Sequence, residues 1–274
     1  MKTYIIAFAL AAGIATGAHG ALLTGVTGTN NLVTFDSSAP GSYLSSTPIS
    51  GTQNGNSITN LAYNSDNGKH YGLDTSANLY EIGQNGAAVL ISGPLPLSSF
   101  DAGFGYDGSS GKLVFAAQSG AGMSSFNLSG AGLGTVTAGY GIGDINEGAT
   151  PSLFGFAVDP IFFEAFVLDD QLDTLGRFFD PALSEIFTVG SLGIDVTGLG
   201  ELEVLDDGSI FAVLSTDGFT TGLYSINGTT GAATSIGSFA DGGVVTFSAV
   251  PEPSVSVLAA LAGSLMAFRR RRNA

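Results

Sequence analysis

Carboxylates are the side chains of this chain that could carry chemistry, because the other catalytic residue types are scarce. The chain has no cysteine and only two histidines, His19 and His70. We expect His19 to be removed with an N-terminal export signal. No Gly-x-Ser-x-Gly motif supplies a nucleophilic serine for His70, which we expect to be an ordinary strand residue. Without cysteine, Cys/His zinc sites are excluded as well. Acid–base work would therefore fall to Asp and Glu.

Two groups of acidic residues could supply oxygen ligands for calcium. Neither group forms the Asp-x-Asp-x-Asp-Gly loop with its distal Glu, although strand alternation would place Glu201 and Glu203 on one face. Acidic pairs at hairpin turns commonly bind local backbone N–H groups, so we favour turn chemistry and expect no cofactor, with calcium as the alternative. The two groups are Asp169, Asp170 and Asp173, and Glu201, Glu203, Asp206 and Asp207.

Carbohydrate is the substrate class that the remaining candidates would suit. Tyr43, Tyr71 and Tyr140 could stack on sugar rings, but tyrosine is also a common strand residue. Paired carboxylates for glycoside hydrolysis need a separation that a sequence does not show. A carbohydrate hydrolase or lyase, or a calcium-dependent lactonase type of enzyme, therefore stays open as the alternative to a non-catalytic module.

The charge balance is strongly acidic, with 23 acidic residues and a formal net charge of −15. Between Asp36 and Asp241 the only cations are Lys69, Lys112 and Arg177. Nucleic acid is excluded as a partner, because phosphate neutralisation needs many cations on one face. The charge favours solubility and low self-association, with divalent-cation binding as a second interpretation.

The elements that must position these side chains are short, repeated β-strands. The chain has 41 glycines, which together with Ser, Thr, Asn and Asp separate short apolar runs. Residues 222–233 repeat residues 78–88: both contain Leu-Tyr-x-Ile, a polar turn ending in Gly, and an Ala pair. Each segment reads as a hairpin in which the glycine supplies the turn. No segment between the chain ends sustains a helical apolar period.

These hairpins form the second halves of four-stranded units. First strands begin near residues 58, 101, 153 and 201, a spacing of about 43 to 52 residues and close to that of propeller blades. Val244 to Ala249 looks like a first strand without followers, and Leu22 to Val26, Leu32 to Phe35 and Tyr43 to Ile49 look like later strands without a first. We predict an all-β propeller of five four-stranded blades, closed by strands from both termini. A β-sandwich, a β-solenoid and a six-bladed ring are the alternatives.

The N-terminus has the pattern of an export signal. Met1-Lys2 supplies a positive start and Tyr4 to Ile14 an apolar stretch, and Ala18-His19-Gly20 is a small-x-small site for cleavage before Ala21. We predict a signal peptide over residues 1–20, with a helical apolar segment, and a propeller domain over residues 21–249.

The C-terminus has the pattern of a sorting signal. Pro251, Glu252 and Pro253 precede an apolar run from Val255 to Phe268, and Arg269, Arg270, Arg271 and Arg272 follow it. The run is shorter than the ~20 residues of a comfortable membrane span, which favours transient membrane association through a sorting helix in residues 250–274. The four arginines would hold the end on the cytoplasmic side.

With the signal peptide, this tail resembles that of the PEP-CTERM class of bacterial exported proteins. The resemblance implies processing by signal peptidase and by an exosortase, a membrane transpeptidase of Gram-negative bacteria that make extracellular polysaccharide. It also implies cleavage of the tail near the Pro-Glu-Pro motif, which either releases the domain or joins it to the cell surface or matrix. A membrane tail with an accidental Pro-Glu-Pro is the alternative.

The domain itself is similar to a bacterial propeller-type domain of unknown function, on the residues Leu32-Val33-Thr34-Phe35-Asp36 with Pro40-Gly41 and on the two repeated hairpins. The resemblance covers most of residues 30–240 and implies a fold without an activity. The chain departs from that family at the turns of Ala62-Tyr63-Asn64 and Gly105-Tyr106-Asp107. We therefore expect a non-catalytic structural or ligand-binding module, exported to the cell surface or matrix, with extracellular polysaccharide as a possible partner.

Overall fold

The computed structural model describes residues 20–97, 103–116, 122–128, 133–162, 164–179, 182–197, 200–240 and 243–249. These residues form β-strands and turns, with no α-helix and one 3-10 turn at Gln53–Gly55. No helix within the described ranges is long and apolar enough to span a membrane. The predicted signal segment, up to residue 19, and the predicted sorting segment, residues 250–274, lie outside the described residues.

The strands form five sheets, each built on four antiparallel strands, which are the blades of a propeller. Blade 1 consists of β4 (Ile58–Asn64), β5 (Lys69–Asp74), β6 (Leu79–Ile82) and β7 (Ala88–Ser92). Blade 2 consists of β8 (Gly103–Asp107), β9 (Lys112–Ala116), β10 (Gly122–Asn127) and β11 (Leu133–Thr137). Blade 3 consists of β13 (Leu153–Val158), β14 (Ala165–Asp169), β15 (Thr174–Phe178) and β16 (Glu185–Ser191), with the short β12 (Gly139–Tyr140) on its outer edge.

The last two blades complete the ring. Blade 4 consists of β17 (Gly200–Val204), β18 (Ile210–Leu214), β19 (Gly222–Ile226) and β20 (Ala233–Ser238). Blade 5 combines the last described strand, β21 (Val244–Ala249), with β1 (Leu22–Thr27), β2 (Asn31–Asp36) and β3 (Tyr43–Pro48). Leu23 of β1 lies opposite Ala249 of β21. The prediction that both ends of the domain build one closing blade is confirmed.

The first strands of the five blades contact one another in a closed cycle, β4 to β8, β13, β17, β21 and back to β4. This cycle confirms the five-bladed ring, and the sandwich, solenoid and six-bladed alternatives are wrong. A ring leaves no inner sheet edge open to another chain.

The hydrophobic core consists of five clusters, and each cluster joins the facing surfaces of two neighbouring blades. Between blades 3 and 4, for example, Phe154 and Leu168 pack with Leu202 and Leu214. Alternate strand residues enter the two clusters on either side of a blade, which explains the nearly continuous apolar runs in the sequence. Burial of each such side chain contributes about 1.5–3 kcal/mol, so the ring is held by its blade interfaces.

Short backbone bridges also connect the outer strands of successive blades. Ser50, after β3, forms a parallel bridge to Ala87 beside β7, and Ala233 of β20 donates to the carbonyl of Leu192, after β16. The repeated Gly-Ala-Ala segments lie at these contacts. Gly231 has a φ of +78°, and a Cβ on it would overlap the carbonyl oxygen of Gly190. The glycine therefore serves both the turn and the close approach of the neighbouring blade.

Candidate functional site

Glu201 of β17 lies at the centre of the ring, where the first strands of the five blades meet, and is 1% exposed. We call this central region the channel. Its Oε1 accepts hydrogen bonds from the backbone N–H groups of Phe104 (3.2 Å), Phe156 (3.4 Å) and Leu202 (3.3 Å). These donors belong to the first strands of blades 2, 3 and 4. First strands have one edge without a strand partner, and Glu201 satisfies N–H groups of that edge that would otherwise be buried and unpaired.

Thr246 of β21 extends this network to the other two blades. Its hydroxyl is 3.3 Å from Oε2 of Glu201 and accepts a hydrogen bond of 2.8 Å from the backbone N–H of Leu61 in β4. One carboxyl and one hydroxyl thus link the first strands of all five blades. We call Glu201 and Thr246 the central pair.

Glycines let the strands come close enough to share the carboxyl. A Cβ on Gly103 of β8 would lie 2.5 Å from the backbone nitrogen of Phe156 in β13, so any side chain there would push the two strands apart. Gly155 has a φ of +58° and lies at a bulge in the pairing of β13 with β14. Bulges re-aim the backbone, and this one accompanies the turn of the Phe156 N–H toward Glu201.

Glu203 is the second carboxylate at the channel and differs from Glu201 in its exposure. Its Oε1 accepts a 3.0 Å hydrogen bond from the N–H of Ala249, and the side chain is only partly buried. Desolvation by the surrounding protein raises the pKa of Glu203 to about 8, and the hydrogen bond from the Ala249 N–H opposes this shift. Burial also raises the pKa of Glu201 well above its usual range, with the hydrogen bonds from the N–H groups of Phe104 and Leu202 opposing the shift.

The structure divides the acidic groups that the sequence offered for calcium. Glu201 and Glu203 do share a face, but Asp207 lies in the exposed turn after β17, where its Oδ1 accepts from the N–H of Ser209 at 2.9 Å. Asp173 accepts from the N–H of Val196 at 2.8 Å. Among the residues that the structure describes, no group of three or more His, Asp or Glu is placed to hold a metal ion.

Turn chemistry explains most of the other carboxylates, as the sequence analysis favoured. Asp169, at the end of β14, accepts from the backbone N–H groups of Gln171 and Leu172 at 2.9 and 3.0 Å. Asn64 and Asp107, at the turns where the chain departs from its resembled family, accept backbone N–H groups in the same manner. These side chains hold hairpin turns and are not grouped around a ligand site.

A recurring Asp–Tyr pair is a feature that the sequence analysis missed. At the end of β5, Asp74 accepts from the Tyr80 hydroxyl at 3.0 Å, and at the end of β14, Asp169 accepts from the Tyr140 hydroxyl at 2.7 Å. Burial would raise the pKa of Asp74, but the hydrogen bonds that it accepts, chiefly from Asn78, lower the pKa overall. The repeated acidic residue at the end of a blade's second strand was the available signal.

The predicted stacking tyrosines and His70 have structural surroundings. Tyr71 is 4% exposed, the Tyr43 hydroxyl donates to the carbonyl of Ala240 at 3.0 Å, and Tyr140 is bound to Asp169. His70 is buried, and burial lowers its pKa to about 4, so its imidazole is neutral at pH 7. Within the described part of the chain no group hydrogen-bonds its Nε2, so no serine is paired with His70 as a serine is in a Ser-His-Asp triad.

Of the predicted processing residues, only Gly20 and Ala21 lie within the described ranges. The Ala21 N–H donates to the Ser37 hydroxyl at 2.9 Å, and the Ser37 N–H donates back to the Ala21 carbonyl at 2.9 Å. Those outside the described residues are Ala18, Pro251, Glu252, Pro253, Arg269, Arg270, Arg271 and Arg272.

Comparison with known proteins agrees with the fold and adds no activity. Residues 31–248 match the sequence model of a domain of unknown function, DUF4394. No curated protein is significantly similar in sequence.

Three solved structures share the overall architecture at 11–12% sequence identity. A protein of unknown function from Bacteroides caccae has a TM-score of 0.54 and aligns over 86% of this chain and 100% of its own. A chain of a nidogen/laminin complex has a TM-score of 0.52 over 85% and 98%. A gluconolactonase from Xanthomonas campestris has a TM-score of 0.50 over 83% and 79%. At this identity the likeness extends to the fold alone.

Proposed function

The chain belongs to the DUF4394 family of domains of unknown function, and we propose that it is an exported, non-catalytic propeller. The ring would serve as a structural or ligand-binding module at the cell surface or in the extracellular matrix.

The observation that carries the non-catalytic part is the use of Glu201. Its Oε1 is shared by backbone N–H groups of three blades. Its Oε2 is held by Thr246. Both oxygens of Glu201 are thus used to hold the first strands together, which leaves this carboxyl poorly placed to exchange a proton with a substrate.

The proposed export rests on the two terminal patterns. Signal peptidase would cut before Ala21, which would convert the Ala21 N–H into an ammonium group that can still donate to Ser37. An exosortase would then recognise Pro251, Glu252 and Pro253 while the apolar run and Arg269 to Arg272 hold the tail at the inner membrane of a Gram-negative bacterium. Cleavage would free the ring or attach it to the surface.

Intact-mass analysis of the native protein in fractionated cells tests this processing. We expect a product that begins at Ala21 and ends near Pro253, in the surface or extracellular fraction. A mature product that retains Arg269 to Arg272 would overturn the sorting proposal. A product that retains Met1 and stays inside the cell would overturn the export proposal.

Extracellular polysaccharide is the ligand class that the proposed location suggests. A glycan array probed with the full chain, with and without a calcium chelator, tests this binding. We expect the chain to bind neutral glycans, because the ring is itself acidic and would repel acidic ones. We expect no calcium requirement, because the described residues form no cluster of metal ligands. Uniform absence of signal would leave the structural role alone.

The environment of Glu203 is the observation that favours the alternative of an extracellular enzyme. Glu203 is partly exposed, its Oε1 accepts a hydrogen bond from the N–H of Ala249, and its raised pKa suits a general acid. A panel of lactones and polysaccharides tests the alternative by comparing the wild type with Glu203→Gln. Turnover that the substitution abolishes would establish the enzyme, and turnover that it leaves intact would exclude Glu203 as the acid.

A further inference from the structure

Blade 3 carries a group of exposed apolar side chains that the ring does not use. Ile161, Phe162 and Phe179 are 53%, 72% and 57% exposed. Ile161 and Phe162 lie in the turn between β13 and β14, and Phe179 directly follows β15. We call these three residues the blade 3 patch. Exposed apolar residues grouped in this way commonly mark a surface that contacts a partner or a membrane.

Asp159 holds the described part of the turn that carries Ile161 and Phe162. Oδ1 of Asp159 accepts from the N–H groups of Ile161 at 2.7 Å and Phe162 at 2.9 Å. These bonds satisfy the backbone of the turn locally, so its two apolar side chains can point outward without unpaired N–H groups beneath them.

Phe179 is held in place by its neighbours. The guanidinium of Arg177 lies 4.1 Å from the centre of the Phe179 ring and 3.3 Å from the Glu164 carboxylate. The centre of the Phe187 ring, on β16, is 5.5 Å from the centre of the Phe179 ring. Glu164 is two residues after Phe162, so the Arg177–Glu164 pair connects the two parts of the patch.

The equivalent turns of other blades are polar. They contain Asp, Asn, Ser, Thr and Gly at their tips and show no exposed large apolar side chain among the described residues. The turns compared are 65–68, 108–111 and 205–209 between first and second strands, and 37–42, 83–87 and 227–232 between third and fourth strands.

The patch lies on the face of the ring from which both chain ends leave. In each blade, the turns from first to second strand and from third to fourth strand lie on one face, which we call the turn face. β21 is a first strand and ends at Ala249 on that face, and β1 is a second strand and begins there at Leu22. Phe219, in the connection between β18 and β19, lies on the opposite face.

The tail keeps the turn face close to any membrane that holds it. From Ala249 to Val255, where the apolar run starts, the chain has six residue steps, which span at most about 20 Å. We propose that the turn face docks on the lipid bilayer while the tail is inserted, with the blade 3 patch in the interfacial layer. The inference rests on the membrane association in the proposed function.

Charge selects the kind of lipid surface. The turn face also carries carboxylates, such as Asp66, Asp107 and Asp207, and the chain as a whole has a net charge of −15. Anionic headgroups would therefore repel it, whereas a zwitterionic surface leaves the apolar contact unopposed.

The chain has no tryptophan, which allows a reporter at one position. The full chain with Phe162→Trp is mixed with phosphatidylcholine vesicles whose acyl chains are brominated, because bromine quenches nearby indole fluorescence. Phe219→Trp, at a site 90% exposed on the other face, is the matched control. We expect Phe162→Trp fluorescence to shift to the blue and fall at least twofold, and Phe219→Trp fluorescence to stay unchanged.

The other outcomes separate the two proposals. If the chain floats with the vesicles but neither variant is quenched, docking of the patch is overturned while tail insertion stands. Equal quenching of both variants would also overturn a face-specific contact. If the chain does not bind vesicles at all, the membrane association itself fails. A blue shift of Phe162→Trp that follows protein concentration without vesicles would assign the patch to a second copy of the chain and overturn the proposal.

Discussion

Replacement of Glu201 is the sharpest test of the proposed structural role of the channel. In Glu201→Leu the side chain keeps a similar volume but accepts no hydrogen bonds, so the N–H groups of Phe104, Phe156 and Leu202 lose their common partner. An unpaired buried donor costs about 1–3 kcal/mol. The bonds are 3.2 to 3.4 Å long, so we take the lower end, and three donors then cost about 3 kcal/mol.

This loss is measurable by thermal unfolding. For a domain of this size about 1 kcal/mol corresponds to about 2–4 °C, so Glu201→Leu should lower Tm by about 6–12 °C. Glu201→Gln is the matched control, because its amide oxygen can accept the same N–H groups and its amide nitrogen can donate to Thr246. We expect Gln to change the free energy of unfolding by less than about 1 kcal/mol.

A second substitution checks that the central pair acts as a unit. Thr246→Val removes the hydroxyl that joins Glu201 to the Leu61 N–H and keeps the side-chain shape. In a double-mutant cycle, Glu201→Leu and Thr246→Val should cost less together than the sum of their separate costs. The structural role of the central pair is refuted if Glu201→Leu is as stable as Glu201→Gln, or if the stability costs of Glu201→Leu and Thr246→Val simply add.

The other predictions concern turns, pH and metal. Gly231→Ala should lower the free energy of unfolding in urea by about 1–3 kcal/mol more than Gly208→Ala does. Both glycines have a positive φ, but only a Cβ at residue 231 would meet another backbone, that of Gly190. Equal losses would contradict the close approach. Between pH 4.5 and about 8 the raised pKa of Glu203 lets the folded chain hold a proton that the unfolded chain has lost. The contribution of Glu203 to stability should therefore fall as pH rises, by up to about 1.4 kcal/mol per pH unit, and level off above about pH 8. Glu203→Gln should reduce that slope, and an unchanged slope would assign it to another group. Calcium or a chelator should leave Tm within about 1 °C, and a clear calcium-dependent rise would reveal a site that the described residues do not form.

The strand pattern could be predicted from the sequence because it depends on local order. Apolar runs, turn residues and the repeated hairpins are all set within a few residues of one another, and first strands predicted near residues 153 and 201 begin at Leu153 and Gly200. The predicted first strand at Val244 to Ala249 is also found. The blade count followed from the spacing, since a ring requires each unit to repeat.

The role of Glu201 could not be predicted in the same way. Its partners Phe104, Phe156 and Thr246 lie 45 to 97 residues away in sequence, and the contact forms only when the ring closes. The sequence grouped Glu201 with Asp207 by proximity along the chain, whereas the strand carries one into the channel and the other to an exposed turn. Only the shared face of Glu201 and Glu203, a property of strand alternation, was available in advance.

Blade 5 imposes an order on the assembly of the molecule. β1 is among the first strands to be made, yet the strand that covers its inner edge, β21, is the last in the described chain. Until Val244–Ala249 emerges, that edge stays open and Thr246 is missing from the channel. A growing chain therefore cannot complete its native circle, and a nonsense mutation even a few codons before the end of the domain would yield an open arc exposed to proteases and to pairing with other chains.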